Sequence, residues 1–290
     1  GTIMNIQSFP ETISDSRNPR CLDGSLGRFY FSESPSGSSG RWVIFLPGGG
    51  TCVAFDTCST RKTTDLGSNS NLDDTLEVSG ILSSDNSVNP VFADANKVYI
   101  PYCDGFFFSG NGGAVIQSGE TLYFQGRSIV QATLETLMQG TYGLSSATEV
   151  LLSGVSAGGI GTFINAGLVK SMIPSSAKFK IAPASGFFLS RNQFDGNPGR
   201  IVAAINQGST LHSALPLLNS DCVAAGVAGR ECLSPNTSWA YLSMPSFVVN
   251  SYRDAADFAE FITGSEFEEN ECLGDEEGQM ASCTANEIAV

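Results

Sequence analysis

Residues 149–172 constrain this chain more tightly than any other stretch. Glu149-Val-Leu-Leu-Ser153 reads as a short buried strand, and Gly154-Val155-Ser156-Ala157-Gly158-Gly159 as a turn of small residues. A helix should then start after Ser156 and run through Phe163, Ile164, Ala166 and Leu168 to about Met172. A strand that becomes a helix within one G-x-S-x-G pentapeptide must place its serine on a sharp, strained bend. The glycines two residues to either side let strand and helix approach closely. The same bend leaves the Ala157 N–H at a helix N-terminus, where it can stabilise an oxyanion. A glycine-rich connection with an incidental serine is the bland alternative. The strand before and the helix after favour a nucleophile elbow carrying Ser156.

A second element agrees. Leu46-Pro47-Gly48-Gly49-Gly50-Thr51-Cys52 follows the apolar strand Trp42–Leu46, as expected of a glycine loop that offers N–H groups to an oxyanion. A phosphate loop would need a following GK[ST], and none is present. Further strands are expected at Arg28–Phe31, Lys97–Pro101, Lys178–Ala182 and Ser246–Asn250, with an amphipathic helix over 127–139 ended by Gly140. Apolar strands alternating with helices indicate an α/β fold, α/β-hydrolase-like, with a mostly parallel central sheet flanked by helices. The 290 residues suit a single domain over 1–290. Residues 190–240 show no strong periodicity and carry Pro198, Pro216 and Pro235, so they read as a cap-like excursion within that domain.

Composition removes several functions. With 15 Lys+Arg against 29 Asp+Glu the net charge is −14, and no basic cluster exists to meet nucleic acid or an anionic membrane. No apolar run reaches the ~18 residues of a membrane span. The 8 cysteines form no C-x-x-C pair, which argues against zinc ribbons and thioredoxin motifs and for disulfides in an oxidising compartment. Secretion is therefore expected, with a signal peptide already removed, and Asn236-Thr-Ser is a candidate glycosylation site. The chain has 1 histidine, His212, so no His-rich metal site is expected, nor any cofactor. The eight acids between Glu260 and Glu277 read as a solvated loop, because the D-x-D-x-D-G calcium register is missing. Glu120-Thr-Leu-Tyr-Phe-Gln-Gly126 resembles a tag-cleavage scar, but it sits mid-chain before a helix and is read as native.

The chain resembles the pectin acetylesterase family of carbohydrate esterases, which includes the Notum deacylases. The resemblance runs in order through Cys21-Leu-Asp-Gly-Ser25, Phe45-Leu-Pro-Gly-Gly-Gly-Thr-Cys52, Gly80-Ile-Leu-Ser-Ser84 with Asn89-Pro90, and Asn96-Lys-Val-Tyr-Ile-Pro-Tyr-Cys-Asp-Gly105. It continues through Leu122-Tyr-Phe-Gln-Gly126, Gly154-Val-Ser-Ala-Gly-Gly159, Gly186-Phe-Phe188 and Phe247-Val-Val-Asn-Ser-Tyr-Arg-Asp254. It implies Ser156 as nucleophile, Gly49, Gly50 and Ala157 as oxyanion donors, and Asp254 as the acid that orients a histidine. It also implies the disulfides Cys21–Cys103, Cys52–Cys58 and Cys222–Cys232, and leaves Cys272 to Cys283.

The resemblance breaks at the base. The family's histidine follows a late cysteine as Cys-x-x-His, and here Ser282-Cys283-Thr284-Ala285-Asn286 puts Asn286 in its place. His212 lies between the nucleophile and the acid in the chain, against the Ser…Asp…His order, and reads as a helix or loop residue with local hydrogen bonds. Pro47 replaces an expected Glu, Thr51 a Trp, and Ala184 and Gly167 each an Asp. Asp254 and Asn286 are 286 − 254 = 32 residues apart, a shorter interval than the family shows, and the chain stops soon after. Asparagine cannot take a proton from Ser156. A secreted, catalytically impaired pseudoenzyme serving as a binding or assembly module is the leading expectation. The alternative is a working serine carboxylester hydrolase that removes acyl groups from a glycan or lipid-modified substrate with a base from elsewhere. Partners are then a glycan, an acyl ester or an extracellular protein.

Overall fold

The computed structural model describes residues 1–251 apart from 38, 193–195 and 216–218. Its elements in chain order are β1 (Thr2–Gln7), α1 (Glu11–Arg17), β2 (Phe29–Ser32), β3 (Arg41–Leu46), α2 (Phe55–Arg61), β4 (Thr75–Val78) and β5 (Asn96–Tyr99). There follow β6 (Gly113–Gln117), β7 (Glu120–Phe124), α3 (Gly126–Leu137), β8 (Glu149–Val155) and α4 (Ala157–Met172). The last are β9 (Lys178–Ala184), α5 (Arg200–Leu211), α6 (Ser220–Ala224) and α7 (Pro235–Ser238).

Seven strands form one sheet in the order β4-β1-β2-β5-β3-β8-β9, and β6 and β7 make a separate hairpin. β5, β3, β8 and β9 are parallel neighbours. β2 opposes β5, and β1 opposes both β2 and β4, so β1 shares the direction of the parallel set. The architecture is the expected α/β-hydrolase-like one, a mostly parallel sheet flanked by helices.

The inner parallel strands β3 and β8 are mostly buried because α3 and α4 cover one face and the segment from Leu72 to Ala95 covers the other, while the edge strand β9 alternates buried and exposed residues. Val150 and Leu152 of β8 and Trp42, Val43 and Ile44 of β3 are all essentially inaccessible. α3 turns Ile129, Val130, Thr133, Leu134 and Leu137 inward, a helical stripe, and α4 adds Ile160, Phe163, Ala166 and Val169. These residues join Trp42, Ile44, Leu46 and Val98 in one core. Each large side chain so buried contributes roughly 1.5–3 kcal/mol.

Most expected strands appear within two residues of their forecast ends, and β8 and β9 run on to Val155 and Ala184. Ser246–Asn250 differs. It lies parallel to β9 and bonds to it at the bridges Ile181↔Ser246 and Ala184↔Val249, but Pro183 has no N–H to join the two into a continuous ladder. Residues 190–240 also differ from the aperiodic expectation. α5 buries Ile201, Ala204, Ile205, Gly208 and Ser209, a regular helical face on which two small residues stand in for apolar ones. A Cβ on Gly208 would lie 2.3 Å from the Phe106 ring, so this helix packs hard against the core. The structure bonds Cys21 to Cys103, Cys52 to Cys58 and Cys222 to Cys232. Cys272 and Cys283 lie outside the described residues. Among the described residues no helix is long and apolar enough to cross a membrane.

Two glycines of α4 make a matched test of the packing. A Cβ on Gly158 would sit 2.0 Å from the Leu46 carbonyl oxygen, whereas one on Gly167 would meet nothing within 4 Å. Gly158→Ala should lower stability by about 4 kcal/mol or more, or prevent folding. Gly167→Ala should be neutral or stabilising by roughly 0.5–1 kcal/mol. Denaturant midpoints of the two variants check this, and equal midpoints would contradict the contact.

Candidate active site

β8 ends and α4 begins at Ser156, whose backbone sits at φ 54° and ψ −121°. An L residue held there costs about 1–3 kcal/mol, which the surroundings must offset. They do so through the main chain: the Ser156 N–H donates to the Ala184 carbonyl at 3.0 Å, and its carbonyl accepts from the Ile160 N–H at 3.0 Å. Gly154 and Gly158 face each other with no room for side chains, since a Cβ on Gly154 would lie 2.3 Å from the Gly158 carbonyl oxygen.

The glycine loop after β3 arrives beside this bend. Gly50 has φ 65°, a conformation that L side chains resist. Arg61 Nη2 donates to the Gly49 carbonyl at 2.7 Å, and the Tyr102 hydroxyl donates to the Gly50 carbonyl at 2.8 Å. Tyr102 in turn accepts from the Phe107 N–H at 2.9 Å, and burial holds its phenol un-ionised. With both carbonyls engaged, the Gly49 and Gly50 N–H groups have no acceptor among the described residues.

A cavity of about 360 Å³ opens onto Ser156. Gly50, Thr51, Ser156 and Ala157 line it together with the apolar Phe107, Ile160, Phe188, Ile201 and Ala204, and Arg200 adds a cation. Gly49 is not part of this lining. The Ser156 hydroxyl has no hydrogen-bond partner among the described residues. Sequence reasoning located the serine and the loop but missed the apolar wall. Its signals were the run Phe106-Phe107-Phe108, of which the last two have φ of 56° and 57°, and the inward face of α5. Asp104 fixes that turn by accepting from the Phe106 and Phe108 N–H groups, both at 3.3 Å, and its burial pushes its pKa up to about 6.

His212 is not at this cavity. It caps the C-terminus of α5, is fully buried, and places Nε2 2.8 Å from the Cys52 carbonyl oxygen, 160 residues away in sequence. The expected local hydrogen bond is its backbone N–H to the Gly208 carbonyl at 2.9 Å, and the ring in addition reaches across the fold. Phe106 stacks on the imidazole at 4.7 Å, and Phe124 packs against it in a T-shaped contact at 4.5 Å. Donation to a carbonyl fixes the proton on Nε2, and Nδ1 is buried without a partner. Burial drives the pKa down to about 3. Cys52, Cys58 and His212 come close enough to suit a metal, but metal binding needs thiolates and both sulfurs are spent on a disulfide. Asn236 lies half-buried in α7, its side-chain oxygen accepting from the Ser190 N–H at 3.3 Å. Asp254, Asn286 and the acidic run 260–277 lie outside the described residues.

His212 and Asp104, both buried, have opposite pH signatures. His212 binds its proton more weakly folded than unfolded, so the stability it brings is present above about pH 6.5 and is lost as pH falls toward 3. Asp104 binds its proton more tightly folded, so its contribution falls as pH rises from about 4 to 6. His212→Gln should be less stable than the parent at pH 7, yet lose less stability between pH 6.5 and 4. Chemical denaturation across that range reads the difference, and parallel curves would refute a neutral buried imidazole.

Residues 7–290 match the family described as Pectinacetylesterase. Pectin acetylesterase 4 of Arabidopsis thaliana is 34% identical over 238 residues, covering 82% of this chain and 57% of that protein. Pectin acetylesterase 5 of the same plant is 34% identical over 243 residues, 84% of this chain and 56% of its own. Palmitoleoyl-protein carboxylesterase NOTUM of Schmidtea mediterranea is 30% identical over 263 residues, 87% of this chain and 48% of that protein. The chain thus spans about half the length of the curated relatives it matches.

Proposed function

The chain belongs to the pectinacetylesterase family, and from that premise we propose that residues 1–290 form a single secreted unit that binds a carboxylic ester but hydrolyses it poorly. Ser156 is the nucleophile, with Gly49, Gly50 and Ala157 as oxyanion donors and Asp254 as the acid. Residues 190–240 fold over the pocket as part of the same unit. One observation carries this reading. The chain's only imidazole is locked onto the Cys52 carbonyl and does not line the Ser156 cavity.

A serine hydroxyl without a base is a poor nucleophile. In a serine protease, loss of the base costs on the order of 10⁶ in kcat, while the oxyanion hole retains about 10³–10⁴ over water. The apolar wall of Phe107, Ile160, Phe188, Ile201 and Ala204 suits the acyl part of an ester. A polyuronate is disfavoured as substrate, because a chain of charge −14 repels it until salt screens the field. Three disulfides among the described residues support an oxidising, extracellular setting, where the module would engage a glycan, an acylated ligand or a protein partner.

The second reading is an active O-deacylase whose base lies outside these residues. It is favoured by the strained Ser156 backbone, a cost that binding alone does not require. One experiment separates the two. For residues 1–290, p-nitrophenyl acetate turnover should match a Ser156→Ala control, and a fluorophosphonate should label Ser156 negligibly. Added imidazole should raise turnover in the parent and not in Ser156→Ala. Fast Ser156-dependent turnover without imidazole would establish the active enzyme instead.

A further inference from the structure

A second cavity, of about 550 Å³, lies further along α4, lined by Gly167, Leu168 and Ser171 of that helix together with Arg127, Asn219 and Tyr241, and reached also by Lys170 and Asp221. Gly167 is 11 residues beyond Ser156, about 16 Å along the helix axis, so this is not the ester pocket.

Arg127 is its unusual feature. The guanidinium is largely buried, and burial lowers its pKa to about 10, which leaves it charged at neutral pH. No carboxylate pairs with it among the described residues. It also stands in the first turn of α3, where the helix dipole opposes a cation. Its Nε is buried without an acceptor. Among the described residues its one side-chain partner is the Asn165 oxygen, at 3.2 Å from Nη1. Asn165 is fully buried, and its NH₂ donates to the Phe108 and Gly161 carbonyls at 3.2 and 2.9 Å, which turns its oxygen toward Arg127. Thus the fold holds a desolvated cation in place and leaves most of its donors unused. Buried donors are rarely left so.

The partner side is open too. Gly167 contributes no side chain, and a Cβ there would meet nothing within 4 Å. Lys170 pairs with no carboxylate among the described residues, and its Nζ donates to the Ser243 hydroxyl at 2.9 Å. Against these two cations the lining offers one acid, Asp221. We propose that this cavity binds a small carboxylic acid, up to the size of one sugar-acid unit, whose carboxylate takes the fork of Arg127 with Lys170 beside it. A planar carboxylate matches the two parallel N–H donors of a guanidinium, and the space beside Gly167 admits the rest of the molecule. The overall negative charge does not forbid this, because at physiological salt it is screened within about 8 Å. The site is independent of how Ser156 is read.

Glucuronate titrated into the 1–290 chain at physiological ionic strength, followed by calorimetry, tests the assignment, with glucose and sulfate as comparators. Glucuronate should bind saturably, glucose should not, and sulfate should bind more weakly. Arg127→Gln should weaken glucuronate at least tenfold, the loss of a charge-assisted pair. Gly167→Asp should do the same while raising Tm, because it supplies the carboxylate from within the chain. Ser156→Ala, which alters the other cavity, should bind as the parent does. If Arg127→Gln fails to fold, Gly167→Asp carries the test alone. Equal binding of glucose and glucuronate, undiminished binding by Gly167→Asp, or sulfate as tight as glucuronate would overturn the carboxylate site.

Discussion

The contact on which the rest depends is one of backbone against backbone. The start of α4 lies so close to the end of β3 that the Leu46 and Pro47 carbonyl oxygens occupy the space where Gly158 would carry a Cβ. Gly154 and Gly158 meet in the same way, and Gly159 approaches Gly186 beyond β9. Three strand ends and a helix thereby converge with almost no side-chain volume between them. That convergence brings the Gly48–Thr51 loop, the Ser156 bend and the Ala157 N–H to one place. Wider spacing would still bury an apolar core, but it would separate the loop from the serine.

The same logic explains what could be read from the sequence. The elbow was legible because close approach demands glycine, and glycine at fixed spacing is visible without coordinates. β3, β8, α3 and α4 were legible because continuous burial gives apolar runs and helical stripes. α5 was not, because Gly208 and Ser209 hold inward positions usually filled by larger apolar residues, and the close fit of Gly208 on Phe106 replaces bulk. β1 and β4 pair at the antiparallel edge of the sheet, where Ile3 stays half exposed and the alternation is short. The β6–β7 hairpin carried a signal that passed unused: Ser118 and Gly119 both take positive φ between alternating runs. The wall of the Ser156 pocket had only scattered signals, the Phe106-Phe107-Phe108 run and one face of α5, because Phe107, Phe188 and Ile201 are brought together only by the tertiary fold.

His212 is fully buried and Arg127 largely so, both are short of partners among the described residues, and physics treats them differently. An imidazole can shed its charge, so the fold can store His212 neutral among aromatic rings. A guanidinium cannot do so near neutral pH. One therefore reads as a structural pin and the other as an unfilled position, although burial alone would rank them alike.

The pin has a consequence for how the molecule comes into being. Synthesis releases Cys52 long before residue 212 exists, and their hydrogen bond closes a very long loop. Such distant contacts form late, because chain entropy must be spent before they return anything. The carbonyl at the end of the glycine loop thus waits for α5 to dock before it finds its donor. A nascent or truncated chain ending before His212 could build the central sheet and still lack a finished loop beside its serine. The loop beside Ser156 is in this sense completed only with the fold, by a residue that does not line the Ser156 cavity.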